Sequence, residues 1–154
     1  MNNFDFTSKE LEPVIFEVIE KKGCFRLFPK GESMRPFIKE GEDSVLLVAP
    51  ENLKKYDIIF YKRPKGQYVI YRIIKVKGDS LTLSGDNQFF KEEGVKRDSV
   101  IAKVGGIYKG ERLINVNKTG YRIKAFLWVN TKLLRHGFGG IVRRIKKCLI
   151  FKDK

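Results

Sequence analysis

Residues 68–87 read YVIYRIIKVKGDSLTLSGDN and contain two short runs rich in Val, Ile, Leu and Tyr on either side of a Gly78-Asp79 turn signal. Runs of this length and composition, bounded by glycine and aspartate, are typical of β-strands joined by a tight turn. We predict one strand over residues 68–76 and a second over Ser80–Ser84. Another turn signal, Gly85-Asp86-Asn87, ends the segment.

Similar runs lie on both sides of this segment, so the sequence predicts β-structure over most of the chain up to residue 117. A helix is predicted before them, from Ser8 to Lys22, because apolar residues recur there at helical spacing and Gly23 supplies a stop. Many short strands at close spacing favour a barrel-like or folded-sheet all-β domain over a βαβ unit. The further predicted strands cover residues 24–28, 43–48, 57–62 and 100–109.

Charge is distributed unevenly along the 154 residues. The net charge is +14, but residues 1–117 carry 21 basic and 17 acidic side chains, whereas residues 118–154 carry 11 basic and one acidic. We therefore predict a β domain with an N-terminal helix over residues 1–117 and a basic helical tail over residues 118–154. The tail contains a predicted basic amphipathic helix, with one apolar face formed by Phe138, Ile141, Val142, Ile145 and Leu149.

Three roles are open for the basic tail. It could dock on the β domain with its charges in water, bind an anionic membrane surface, or bind nucleic acid. The sequence has no helix-turn-helix, RNP or zinc-ligand pattern, which argues against nucleic acid. It also has no secretory signal and no apolar run near the ~18 residues of a membrane span, so we expect a cytoplasmic protein, peripheral on the inner face of the membrane if the tail binds lipid.

No metal or cofactor is expected, because Cys24 and Cys148 match neither a metal-ligand spacing nor a redox motif. The first segment whose residue types suggest a reaction is Gly31-Glu32-Ser33-Met34-Arg35-Pro36. A serine in such a turn ordinarily bonds nearby backbone. Its functional interpretation depends on the segments that follow in order, which are Asp57-Ile58-Ile59, Tyr71-Arg72, Gly85-Asp86-Asn87 and Asp98-Ser99-Val100.

This ordered set, spread over about residues 31–104, resembles the superfamily that contains type I signal peptidases and the self-cleaving repressors of the DNA-damage response. The shared pattern comprises Ser-Met-x-Pro, an Asp-Ile strand, a basic catalytic residue followed by Arg, and Gly-Asp-Asn. The resemblance implies a mainly β, signal-peptidase-type or repressor-type peptidase domain. It also implies that Ser33 is the nucleophile, that Asp86 belongs to the motif supporting the site, and that Met34 and Pro36 contact substrate.

Position 71 departs from the pattern. The resembling enzymes place a Lys or a His there as general base, whereas this chain has Tyr71 before Arg72. A phenol with a pKa of about 10 is ionised to only about one part in a thousand at pH 7, so turnover is in doubt. Tyr71 as a packed aromatic and Asp86 as an ordinary turn residue are the alternative interpretations, and Lys62 or Lys91 could supply a base from elsewhere.

Three functions are consistent with these patterns. The first is a serine endopeptidase that processes a precursor or leader peptide bound as an extended strand along a sheet edge. The second is a catalytically silent peptide-binding homologue that has lost its base. The third is a peripheral membrane-binding protein in which the tail is the functional part.

Overall fold

A computed structural model describes residues 8–132 as an eight-stranded antiparallel sheet with one helix before it and one after it. This confirms the predicted mainly β fold with an N-terminal helix. The elements are α1 Ser8–Lys22, β1 Phe25–Leu27, β2 Asp43–Val48, β3 Ile58–Lys62, β4 Tyr68–Lys77, β5 Ser80–Ser84, β6 Glu92–Lys96, β7 Val100–Lys109, β8 Arg112–Asn115 and α2 Thr119–Asn130.

The strands follow the spatial order β1-β2-β7-β3-β4-β5-β6, and β8 pairs with β7. The long strand β7 organises the sheet, since it pairs with β3 over residues 100–103 and with β8 over residues 106–109. Between the pairs Leu46↔Gly106 and Leu47↔Val104 one residue, Gly105, has no partner and forms a bulge. A β-carbon at Gly105 would lie 3.1 Å from Val48 Cγ1, which explains the glycine.

Most predicted boundaries agree with the observed ones. Helix α1 and strands β2, β5 and β7 have the predicted ends, and β3 and β4 each differ by one residue at one end. Strands β6 and β8 were not predicted, because their sequences EEGVK and RLIN are short and largely polar. The predicted amphipathic helix of the tail, with His136 and Cys148, lies outside the described residues.

Strand β4 is covered on both faces. Tyr71 and Arg72 are neighbours with side chains on opposite faces of the strand, yet they are 2% and 0% exposed. Helix α1 contributes buried Ile15 and Ile19, and helix α2 contributes buried Ala125. Over residues 8–132 no helix is both long and apolar enough to cross a membrane, and no cluster of three or more His, Cys, Asp or Glu side chains could hold a metal.

Candidate active site

Ser33 lies on a turn that is anchored by its apolar neighbours. Met34, Phe37 and Ile38 are all buried, while Ser33 keeps part of its surface in solvent. The Ile38 N–H donates to the Met34 carbonyl at 3.0 Å, which closes the turn on itself. Packing of these three side chains into the core therefore presents Ser33 at the surface of the domain.

The Gly85-Asp86-Asn87 turn holds the backbone of Ser33. The Asn87 N–H donates to the Ser33 carbonyl at 2.8 Å, and the Asn87 side-chain amide donates to the Glu32 carbonyl at 3.3 Å. A β-carbon at position 85 would lie 2.7 Å from the Ser33 carbonyl oxygen, so only glycine allows this approach. The structure thus brings together two motifs that are more than fifty residues apart in the sequence.

Asp86 directs its carboxylate away from solvent and onto Arg72. Nε and Nη2 of Arg72 donate to the two carboxylate oxygens of Asp86, each at 2.7 Å, and Nη1 donates to the Tyr56 carbonyl at 2.8 Å. Burial lowers the pKa of Arg72, but the Asp86 carboxylate outweighs it, so the net shift is upward and the guanidinium stays charged. The Arg72–Asp86 pair therefore fixes the Gly85-Asp86-Asn87 turn, and that turn holds the backbone of Ser33.

Helix α2 packs directly on this turn. The indole Nε1 of Trp128 donates to the Asp86 carbonyl at 3.0 Å, and Lys132 Nζ donates to the Gly85 carbonyl at 2.9 Å. Nη2 of Arg72 also donates to the Tyr121 hydroxyl at 3.3 Å. This role of α2 was not predicted from the sequence, although Tyr121, Ala125 and Trp128 fall on one face of a helix.

Tyr71 is held in a polar network on the opposite face of β4 from Arg72. Nη2 of Arg63 donates to the Tyr71 hydroxyl at 3.0 Å and also pairs with Glu92. The rings of Tyr61 and Phe90 each lie 6.1 Å from the Tyr71 ring. Burial raises the pKa of Tyr71, and Arg63 opposes this only in part. The phenol is therefore neutral at pH 7 and suited to donate a hydrogen bond rather than accept a proton.

Gln88 lies next to Gly85 and interacts with Tyr71. Its side-chain oxygen would lie 2.7 Å from a β-carbon at Gly85, the same distance as the Ser33 carbonyl oxygen. The Gln88 amide also acts on Tyr71, whose pKa it lowers by hydrogen bonding. Within residues 8–132 the buried Gln88 Oε1 has no hydrogen-bond partner, so an acceptor is available next to the Ser33 turn.

Across residues 8–132 no side chain forms a hydrogen bond with the Ser33 hydroxyl. Of the alternative bases, Lys62 donates to Glu12 at 2.8 Å, and Lys91 lines a different cavity beside Asp86. The lysine that does line the same groove as Ser33 is the exposed Lys30, which was not predicted as a base.

A groove of about 210 Å³ opens beside Ser33, between the segment 27–34 and one edge of β4. Its lining is mostly apolar and includes Met34, whose contact with substrate stays a prediction, whereas Tyr71 is not among the lining residues. Pro36, also predicted to bind substrate, instead lines a separate cavity with Phe37 and Tyr121.

The groove contains a free stretch of strand edge at Ile70. The backbone groups of Gln67 and Ile73 bond toward the β3 side, with Arg63 N–H to Gln67 carbonyl and Ile73 N–H to Asp57 carbonyl each at 2.8 Å. Because backbone groups alternate along a strand, those of Ile70 point to the other side. Strand β5 pairs with β4 only from Arg72 onward, so Ile70 has no strand partner on that side among the described residues.

Comparison with known proteins gives one match. Residues 4–107 match a family model described as Peptidase S24-like, and this span contains the Ser33 turn, strand β4 and the Gly85-Asp86-Asn87 turn. No curated protein and no solved structure matches the sequence. The match covers about two thirds of the chain, and helix α2 lies beyond its end. The chain belongs to the Peptidase S24-like family.

Proposed function

We propose that this chain binds an extended peptide as an added strand in the groove beside Ser33. The observation that carries the proposal is the free backbone edge at Ile70, whose N–H and C=O face the groove without a strand partner in residues 8–132. A peptide laid along this edge gains main-chain hydrogen bonds, and pockets between alternate side chains select its sequence. The partner is a precursor or leader peptide with apolar residues, because the groove is lined by Leu27, Met34 and Phe60.

Cleavage of that peptide is the second candidate function, since the support for Ser33 is intact. For cleavage, Ser33 Oγ would attack the carbonyl carbon of the peptide and pass its proton to a base, and the leaving amine would take up a proton. Water would then hydrolyse the acyl-enzyme. Backbone N–H groups of the Ser33 turn are candidates to stabilise the oxyanion.

The base is the missing part of this scheme. Tyr71 occupies the base position, but burial raises its pKa and its oxygen already accepts a hydrogen bond from Arg63. A phenol that stays protonated cannot remove the Ser33 proton at neutral pH, and the handicap for an unshifted phenol is already about 4 kcal/mol. We therefore propose peptide binding with little or no turnover as the activity of the unmodified chain.

The binding edge can be tested with Ile70→Pro, which removes the N–H that faces the groove. Proline is tolerated at a strand edge whose N–H has no ladder partner, so the fold should persist. Affinity for fluorescein-labelled decapeptides with Val or Leu at alternate positions should fall about tenfold, the equivalent of one lost hydrogen bond. Ile70→Val keeps the N–H and serves as the matched control, and Ser33→Ala should bind as the parent does. Unchanged affinity in a folded Ile70→Pro variant would rule out strand addition at this edge.

A further inference from the structure

Helix α2 is apolar on two opposite sides. Its inner side packs on the β domain through Tyr121, Ala125 and Trp128. Ile123, Phe126 and Leu127 are 54%, 48% and 52% exposed. At 3.6 residues per turn these three project from the side opposite the inner one, and we call them the outer face of α2. A helix that is apolar all round normally has a partner on every side, so the outer face is a candidate docking surface.

The inner contacts fix the direction in which the outer face points. Trp128 is bonded to the Asp86 carbonyl, and Nη1 of Arg122 donates to Asp57 at 2.8 Å. The Arg122–Asp57 contact is an ion pair with a carboxylate that is only 6% exposed. Phe126 already packs edge-to-face on the Tyr56 ring, with the ring centroids 5.9 Å apart, but 48% of its surface stays exposed. Rotation of α2 to bury its outer face further would break the Trp128 and Arg122 contacts, so additional cover must come from outside the described domain.

The charges near the outer face indicate what kind of partner can bind it. Residues 112–152 contain no Asp or Glu, and on α2 itself Lys124 is exposed beside the outer face. A cavity of about 350 Å³ at the C-terminal end of the helix is lined by Lys55, Lys91 and Lys132. Its one acidic residue, Asp86, is neutralised by Arg72. That cavity lies on the inner side of the helix, because Trp128 and Asp86 also line it. The outer face is therefore an apolar stripe flanked by the exposed Lys124, in a stretch of the chain that has no acidic residue.

Three partners could cover the outer face: residues 133–154 of the tail, a second copy of the chain, or an anionic bilayer. The positive charge disfavours the first two. Residues 133–154 are themselves strongly basic, and a second copy would bring two identical positive surfaces together. An anionic bilayer is complementary to this surface, because its headgroups attract lysines while the acyl boundary accepts Ile, Phe and Leu. We propose that the outer face of α2 docks on an anionic lipid surface, with Ile123, Phe126 and Leu127 at the acyl boundary and Lys124 at the headgroups.

The test uses the full chain, so that the rest of the basic tail is present in every variant. Partition onto vesicles of phosphatidylcholine with phosphatidylglycerol is compared for the parent and for Ile123→Ser/Phe126→Ser/Leu127→Ser. Loss of three apolar anchors should weaken partition more than about tenfold. Phe16→Ser, which removes a residue 46% exposed on α1, is the matched control and should bind within about twofold of the parent. Binding of the parent should also fall in high salt and on pure phosphatidylcholine.

Other outcomes would overturn the proposal. If the triple serine variant binds as tightly as the parent, the remainder of the tail binds lipid without the outer face. If the parent forms a dimer that the triple substitution dissociates, the outer face belongs to a second copy. If deletion of residues 133–154 creates vesicle binding that the parent lacks, the tail itself covers α2. Circular dichroism of each variant confirms that the fold is retained.

Discussion

Arg63 Nη2 donates a 3.0 Å hydrogen bond to the hydroxyl oxygen of Tyr71, so the residue that we predict at the base position accepts a hydrogen bond from a cation that is also paired with Glu92. The phenol retains its own proton for donation. This relationship is consistent with our proposal that the chain keeps the support for Ser33 and binds peptide with little or no turnover. Its effect on the pKa of Tyr71 can be measured.

The ionisation of Tyr71 should lower stability at high pH. Burial raises its pKa above the ordinary value of 10.0, so the folded state keeps the proton at a pH where the unfolded state has lost it. The stability from this difference is complete below about pH 10 and is lost as pH rises through the folded-state pKa. Urea unfolding at increasing pH should show this fall, and Tyr71→Phe should reduce it. Arg63→Gln removes the cation that lowers the pKa of Tyr71, so a downward shift of that pKa in this variant, followed by NMR, would contradict the account.

Loss of the Asp86 carboxylate should strongly destabilise the domain. Asp86→Asn leaves the Arg72 guanidinium buried without its counter-charge, which costs about 3–5 kcal/mol in the free energy of unfolding. Asp98→Asn removes an exposed carboxylate and should change stability by less than about 0.5 kcal/mol. Urea denaturation measures both. An equally small loss for Asp86→Asn would mean that the buried pair does not hold the turn.

A side chain at position 85 should disturb Ser33 specifically. The methyl group of Gly85→Ala would lie 2.7 Å from the Ser33 carbonyl oxygen, so the Ser33 turn must move by a few tenths of an ångström or more. We expect a loss of about 1–3 kcal/mol in stability and weaker peptide binding. Gly120→Ala, where a β-carbon meets nothing within 4 Å, should instead be neutral or stabilising by up to about 1 kcal/mol. Equal effects of the two substitutions would refute the close contact.

Helix α2 should contribute to the stability of the site although it lies beyond the family match. Trp128→Ala removes packing and the bond to the Asp86 carbonyl, with an expected cost of about 3 kcal/mol. Trp128→Phe keeps most of the packing and should cost about 1 kcal/mol. Leu127→Ala, on the outer face of the same helix, should have little effect. Hydrogen exchange at the Asn87 N–H should accelerate only in the Trp128 variants, and protection that is unchanged would exclude α2 as a support.

Sequence patterns were sufficient for most of the fold. The ends of β5 and β7 were predicted correctly from short runs rich in Val, Ile, Leu and Tyr. Strand β6 could not be found this way, because its only large apolar residue is Val95 and the strand is defined by pairing with β5. Strand β8 is likewise defined by pairing, since it forms where β7 extends beyond β3.

The candidate site was predictable only where residues resemble a known pattern. Ser33 and Asp86 were named from that resemblance, and the hydrogen bond from Asn87 to the Ser33 carbonyl explains why their motifs belong together. The partners of Tyr71 were not predictable, since Arg63 and Glu92 are separated by 29 residues and nothing in either segment identifies the other. The contacts of α2 were not predicted for a different reason. Its aromatic residues lie in residues 118–154, whose positive charge led us to interpret the whole segment as a basic tail.

The most direct test of the central claim is the rate at which a fluorophosphonate labels Ser33. If the chain binds peptide without turnover, as we propose, the unmodified chain should react no faster than Ser33→Ala, since no side chain in residues 8–132 is hydrogen-bonded to the Ser33 hydroxyl. Tyr71→His introduces a group with a pKa near 6.5, and it should increase labelling at least about a hundredfold at pH 7 if the imidazole reaches Ser33. Rapid labelling of the unmodified chain that Ser33→Ala abolishes would contradict the claim and direct attention to Lys30 as the base.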